Sequence, residues 1–331
     1  MSTTNDLNTR SSGRHREWAL HVPSERSLDA IAEIVRRDRD GTLSGFPIGD
    51  PAAAQVVAAT LPRLLKAKSA PAQRVYWGTE FCEHLTPHPD RLRRVVDLLS
   101  ALGGLGLTLL TPWVSDLGAE KVRLLLRALP PSGDALDVEV VVNDWGLLAM
   151  IRRERPDLRV VVGRLLNKMM RDPRVTPFYD QGPQPAREAL ASSSLSISLF
   201  QDFLRSRGVA RVEFDALYQG IALDLKATGL AGSIYLPFGY VATGRICVFA
   251  ALHHSKEDKF RFDIPCRHEC QDWSIEQRDS RSPYEEARDL TLFRRGNTVF
   301  YPQQGDFLEQ ALATLDQIGI DRVVLELDLP M

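Results

Sequence analysis

Arg74-Val-Tyr-Trp-Gly78, then Asp90-Arg-Leu-Arg-Arg-Val-Val-Asp-Leu-Leu-Ser-Ala-Leu102, then Gly106-Leu-Thr-Leu-Leu110 is the stretch that decides the architecture. The two flanking runs are short, apolar and β-branched or aromatic, as expected of strands covered on both faces. Between them Leu92, Val95, Val96 and Leu99 recur at helical spacing, and Gly103-Gly104 stops the helix. A strand, a crossover helix and a second strand make a unit whose strands run parallel.

The same alternation extends outward in both directions. Upstream, 27–37 is a helix with Leu28, Ile31, Ile34 and Val35 on one face, 45–49 is a brief strand candidate, and 51–66 is an alanine-rich helix. Downstream come helix 118–129, strand 138–142, helix 146–155, strand 159–162 and a long Pro- and Gly-bearing loop over 172–185. Helix 194–207, strand 211–214, a helical piece at 216–227 and strand 232–236 follow. An irregular polar insertion over about 253–300 precedes helix 306–318 and strand 322–327.

Strands alternating with helices specify a parallel sheet built from βαβ units. No Gly-x-Gly-x-x-Gly turn follows an early strand, which counts against a dinucleotide-binding open sheet. Length and strand count favour a (β/α)8 TIM-barrel-like fold, regular or distorted, with 253–300 as an insertion. The expected organisation is a disordered leader over 1–17 and a single barrel domain over 18–331.

Composition sets limits on function. The chain has 331 residues, 44% hydrophobic and 25% charged, as in ordinary globular proteins. A net charge of −2 argues against a strongly electrostatic nucleic-acid footprint. Residues 1–17 lack the apolar core of a signal peptide, and runs such as 105–110 are too short to span a bilayer, so a cytoplasmic location is expected.

In that compartment the four cysteines stand out: Cys82 alone, and Cys247, Cys266 and Cys270 together. Three readings are open: four unrelated buried thiols, two disulfides (disfavoured by compartment), or one thiolate site holding zinc or an iron–sulfur cluster. Only Cys266 and Cys270 have the tight spacing usual for structural zinc, whereas clusters accept scattered ligands. Cys82 follows the end of strand 74–78, and Cys247 follows strand 232–236 and a loop carrying Gly239 and Gly244. Both therefore belong to the C-terminal face, where barrel chemistry collects.

Other polar residues at strand ends are Glu80, Asn143, Asp144, Arg164, Asn167 and Asp215; for each, a helix cap or loop-bonding role competes with a functional one, and Asp144 reads as a cap. Arg164 suits either an anionic ligand or a neighbouring carboxylate. His253, His254 and His268 read as loop histidines. There is no Gly-x-Ser-x-Gly elbow and no His-Glu-x-x-His helix, so no catalytic residue is assigned.

Four segments carry a family resemblance: Val75-Tyr-Trp-Gly-Thr-Glu-Phe-Cys82, Val140-Val-Val-Asn-Asp144, Val162-Gly-Arg-Leu-Leu-Asn167 with Arg171-Asp-Pro-Arg174, and Gly244-Arg-Ile-Cys247. In this order they resemble the collagenase-like U-32 peptidase family, and within it the UbiV-like branch of oxygen-independent ubiquinone biosynthesis. The resemblance implies that Cys82, Cys247, Cys266 and Cys270 ligate a 4Fe-4S cluster. It also implies a heterodimer with a UbiU-like homologous subunit, supporting hydroxylation of a small aromatic substrate without dioxygen, with prephenate as the oxygen source. Other roles within the family's range are a peptidase, an RNA-base hydroxylation factor and a non-catalytic partner subunit. The Cys247-to-Cys266 gap is longer than the UbiV-like pattern.

Overall fold

The computed structural model describes residues 16–23, 26–47, 49–131, 136–261, 264–278 and 290–331. Its strands are β1 (Glu17–Pro23), β2 (Arg74–Gly78), β3 (Gly106–Leu110), β4 (Asp137–Val142), β5 (Arg159–Val162), β6 (Val209–Asp215), β7 (Ala231–Leu236), β8 (Phe238–Thr243), β9 (Ile275–Arg278), β10 (Thr291–Arg295), β11 (Thr298–Pro302) and β12 (Arg322–Glu326). Eight of them, in the order β1-β12-β7-β6-β5-β4-β3-β2, close into an all-parallel barrel. The fold is a (β/α)8 barrel.

The surrounding helices are α1 (Leu28–Arg39), α2 (Pro51–Ala67), α3 (Pro89–Leu102), α4 (Asp116–Ala128), α5 (Trp145–Glu154), α6 (Thr176–Gln181), α7 (Gln184–Ala191), α8 (Ser198–Ser206), α9 (Val248–Ala251) and α10 (Gly305–Ile318). Local chemistry sets their starts. Ser27, Asp50, Ser115 and Asp144 each accept hydrogen bonds from first-turn N–H groups of α1, α2, α4 and α5. Asp144 is thus the cap its position suggested. The stop of α3 is Gly103, at φ +62°. Outward strand residues such as Trp18, Leu20, Val75, Trp77, Leu107 and Val140 join helix residues in one apolar layer.

Four sequence expectations are corrected. The described residues of 45–49 form no strand: a 3₁₀ turn covers Leu43–Gly45, because two glycines and Pro47 favour turning over pairing. The first barrel strand is β1 instead, beginning inside the segment expected as leader; Ala19 pairs with both Val324 and Arg74 and so closes the ring. Residues 1–15 of that leader lie outside the described residues. The loop expected at 172–185 contains α6 and the start of α7, while 216–227 is irregular until a 3₁₀ turn at Leu225–Thr228.

The insertion is also more ordered than expected. Rather than a loop with Gly239 and Gly244 leading to Cys247, β8 follows β7 directly, and β8-β11-β10-β9 form a four-stranded antiparallel sheet. The part of 253–300 at 262–263 and 279–289 lies outside the described residues. This small sheet caps the C-terminal mouth of the barrel. Phe238 and Phe300 are fully buried there, the Phe238 N–H donates to Glu326, and Tyr301 Oη donates to the Ala216 carbonyl at 2.7 Å. Among the described residues, no helix is long and apolar enough to cross a membrane.

Candidate metal centre

All four cysteines line one small cavity of about 20 Å³ beside the capped barrel mouth. Each arrives on a different piece of local structure. Cys82 leaves β2 and heads a 3₁₀ turn over Glu83–Leu85, where its carbonyl accepts from the Leu85 N–H at 3.2 Å. Cys247 follows β8 and heads α9, its carbonyl accepting from the Ala251 N–H at 3.0 Å. The Cys266 sulfur accepts from the His268 N–H at 3.4 Å, in a turn where His268 takes φ +62°. Cys270 sits in a 3₁₀ turn over Glu269–Gln271 and is buried.

The cysteines are free, Cys82 and Cys270 buried and Cys247 and Cys266 half-buried. Burial pushes the Cys82 thiol up to about 12; the His84 N–H works against this, and Cys247 and Cys266 add to it. Burial likewise pushes Cys270 up to about 12, reinforced by Cys82, Cys247 and Cys266 and opposed by Arg295. Cys266 is raised by burial too. Cys82, Cys266 and Cys270 thus resist becoming thiolates, and a cationic core bound there would remove that resistance and release the protons. Arg245 and Arg261 also line the cavity, placing positive charge beside a group that would carry net negative charge with four thiolates.

The lining offers soft donors, the four cysteine sulfurs and the Met331 thioether, with the His84 imidazole beside them and no Asp or Glu, which matches zinc or iron–sulfur chemistry and not calcium or magnesium. One tetrahedral zinc, with bonds of about 2.3 Å, would hold its sulfurs roughly 3.8 Å apart. Among the described residues, no group of three or more His, Cys, Asp or Glu stands close enough to hold a single ion.

The polar residues at the strand ends form a second, separate cluster inside the barrel. Arg164, completely buried, donates to Glu80, to Asp215 at 2.9 Å and to Glu326 at 3.3 Å. Its guanidinium lies 3.7 Å over the Tyr235 ring and 5.4 Å from that of Phe81. Arg171 donates to the other Asp215 oxygen at 2.6 Å and to the carbonyls of Arg164 and Asn167. Asn143 bridges the Thr111 carbonyl and the Leu165 N–H, and Asn167 donates to the Glu213 carbonyl. Arg164 therefore pairs with carboxylates of the chain, and these residues consolidate the mouth.

Sequence reading missed several members of both clusters. His21, Glu213 and Glu326 are charged or titratable residues inside apolar strand runs, and that interruption was the available signal. Burial pushes the Glu213 carboxyl up to about 8, with Glu80 adding to the rise, while Tyr235 Oη donates to it at 2.6 Å. Burial lowers His21 to about 3, assisted by Arg164 and Arg295. Of the loop histidines, His253 faces Glu269 at 2.6 Å and His254 reaches the Pro265 carbonyl; neither lines the cysteine cavity.

The fold and cavity together define a (β/α)8 barrel with a cysteine-lined pocket at the edge of its capped mouth. No family model matches the chain, and no curated protein matches it. Among solved structures it is similar to YKL-39, crystallised in the presence of chitooligosaccharides: 9% identity over 93% of this chain and 91% of that one, with a TM-score of 0.29. At that score the likeness carries no weight for fold or function.

Proposed function

We propose that this chain is a 4Fe-4S protein in which Cys82, Cys247, Cys266 and Cys270 hold the cluster. On this reading it is one subunit of an oxygen-independent hydroxylating system acting on a small aromatic, ubiquinone-precursor-like substrate together with a UbiU-like homologous partner. One observation carries the cluster assignment: cysteines as far apart in the chain as Cys82 and Cys270 line a single cavity. Unrelated thiols have no reason to gather there, and crowding adds to the cost that burial sets on ionising Cys82 and Cys270. The hydroxylation role rests on the sequence resemblance.

Such a cluster supplies one-electron chemistry or a fixed local charge. The chain's own contribution is to hold the four sulfurs, direct backbone N–H groups at Cys82 and Cys266, and set Arg245 and Arg261 beside them. Purification without oxygen should give brown protein with about four iron and four sulfide per chain and broad absorbance near 400 nm. Colourless protein with one zinc per chain would overturn the cluster assignment. A Cys82→Ser variant should lose most of its iron; full retention would remove Cys82 from the ligand set. Co-purification with a homologous second chain from the same cells tests the pairing, and hydroxylated product formed only when both chains are present tests the activity.

A further inference from the structure

The turn between β10 and β11, Arg295-Gly296-Asn297, contains no cysteine yet touches every cysteine-bearing segment. Asn297 Nδ2 donates at 2.7 Å to the carbonyl of Phe81, which precedes Cys82, and at 2.7 Å to the carbonyl of Gly244, three residues before Cys247. Arg295 donates from Nε to the Cys270 carbonyl at 2.6 Å and from Nη2 to the Gln271 carbonyl at 3.1 Å. Its Nη1 reaches the Leu329 carbonyl at 3.0 Å and Asp328 at 3.4 Å. Gly296 lies between them at φ +56°, so near Cys270 that an added Cβ would stand 3.5 Å from the sulfur and 2.5 Å from the end of Met331. Gly296 and Asn297 both line the cavity.

We propose that Arg295 and Asn297 are positioning residues that hold the three cysteine segments in register, so that the sulfurs are gathered before any inorganic group arrives. The proposal rests on the reading that these cysteines bind one such group. Its physical logic is that of outer-shell partners: ordering three loops in advance spares binding the conformational cost of collecting them. The bonds are well placed for the task. Each runs from a side chain anchored on a sheet to a loop carbonyl, and both residues are at least nine-tenths buried.

The test compares wild-type protein, Asn297→Ala, Arg295→Lys and Tyr301→Phe. The last removes a hydroxyl that donates to the Ala216 carbonyl from the same small sheet, away from the cysteine segments. All are loaded with iron and sulfide without oxygen, and iron loss to a chelator is timed. Asn297→Ala and Arg295→Lys should lose iron about tenfold faster or more, with Tyr301→Phe close to wild type. Iron retention at the wild-type rate in both variants would overturn the proposal, as would equal loss from Tyr301→Phe. A second arm uses metal-free protein and phenylarsine oxide, which bridges neighbouring thiols. Wild type should bind it about tenfold more tightly than Asn297→Ala. If wild type takes up no iron but this difference persists, the cluster assignment fails and the positioning role stands; if wild type does not bind the arsenical, the positioning role fails.

Discussion

Replacing Glu213 with glutamine should change the pH dependence of stability in a calculable way. Glu213 projects into the barrel lumen, fully buried, with Tyr235 Oη donating to Oε2 at 2.6 Å and Oε1 without a partner. Tyr76, Glu80 and Arg164 are its other polar surroundings, and burial followed by Glu80 pushes its carboxyl up to about 8. In the unfolded chain the group titrates near 4.3. Between those values the folded protein keeps a proton that the unfolded chain has released. Its contribution to stability is therefore complete below about 4.3, declines as pH rises toward about 8, and is flat beyond. At about 1.36 kcal/mol per pH unit, the decline from pH 5 to pH 8 is about 4 kcal/mol. Glutamine titrates in neither state and keeps an oxygen for Tyr235. Urea unfolding of both proteins at pH 5, 7 and 9 should show Glu213→Gln similar to wild type at pH 5 and more stable than it by a few kcal/mol at pH 9. Titrations common to both proteins cancel in this difference. A stability difference that stays constant from pH 5 to pH 9, or grows in the opposite direction, would refute the argument that the lumen holds this carboxyl protonated.

Two further predictions concern the barrel itself. Arg164→Met leaves Glu80, Asp215 and Glu326 buried without their central cation and should cost about 3–5 kcal/mol in urea unfolding, with a smaller loss at pH 5 than at pH 8 as protons replace the missing charge. Asp144→Ala removes the acceptor for the Gly146 and Leu147 N–H groups and should cost about 1 kcal/mol, with little dependence on metal content.

Much of the barrel was legible because period and punctuation agreed. Strands β2, β3 and β5 and the stop of α3 could be read from short apolar runs and from Gly103-Gly104. Reading failed where tertiary pairing outweighed local pattern. Of Glu17–Pro23 only Glu17 fell in the expected leader and the rest was given no element, because its strand character comes from closing the ring between β12 and β2. The small sheet was hidden for a similar reason: its Arg294 and Arg295 read as loop, although Arg295 is buried because four acceptors receive it. At the candidate site the cysteines could be read as a set, but their supporting residues could not. Asn297 looks like any turn asparagine until the Phe81 and Gly244 carbonyls are placed on either side of it.

Residues 80–82 explain why the two polar clusters belong to one design. Glu80 turns inward to Arg164, the Phe81 ring lies 5.4 Å from that same guanidinium, and Cys82 faces the cysteine cavity. The backbone joining them is pinned from outside, since the Phe81 carbonyl accepts from both Asn297 and Trp113. A shift of Cys82 must therefore strain either the Arg164 network on one side or the Asn297 bonds on the other. Buried ion clusters of this kind contribute little net stability but strongly penalise misplacement, because any carboxylate that loses its partner stays desolvated. The capped mouth thus gives the first sulfur a rigid abutment, while the segments of Cys247 and Cys270 are reached by the side chains of Asn297 and Arg295. This arrangement accounts for a buried, charged barrel mouth beside a thiol-lined pocket: the Arg164 network steadies the Cys82 segment, and side-chain clasps from Arg295 and Asn297 reach all three cysteine segments.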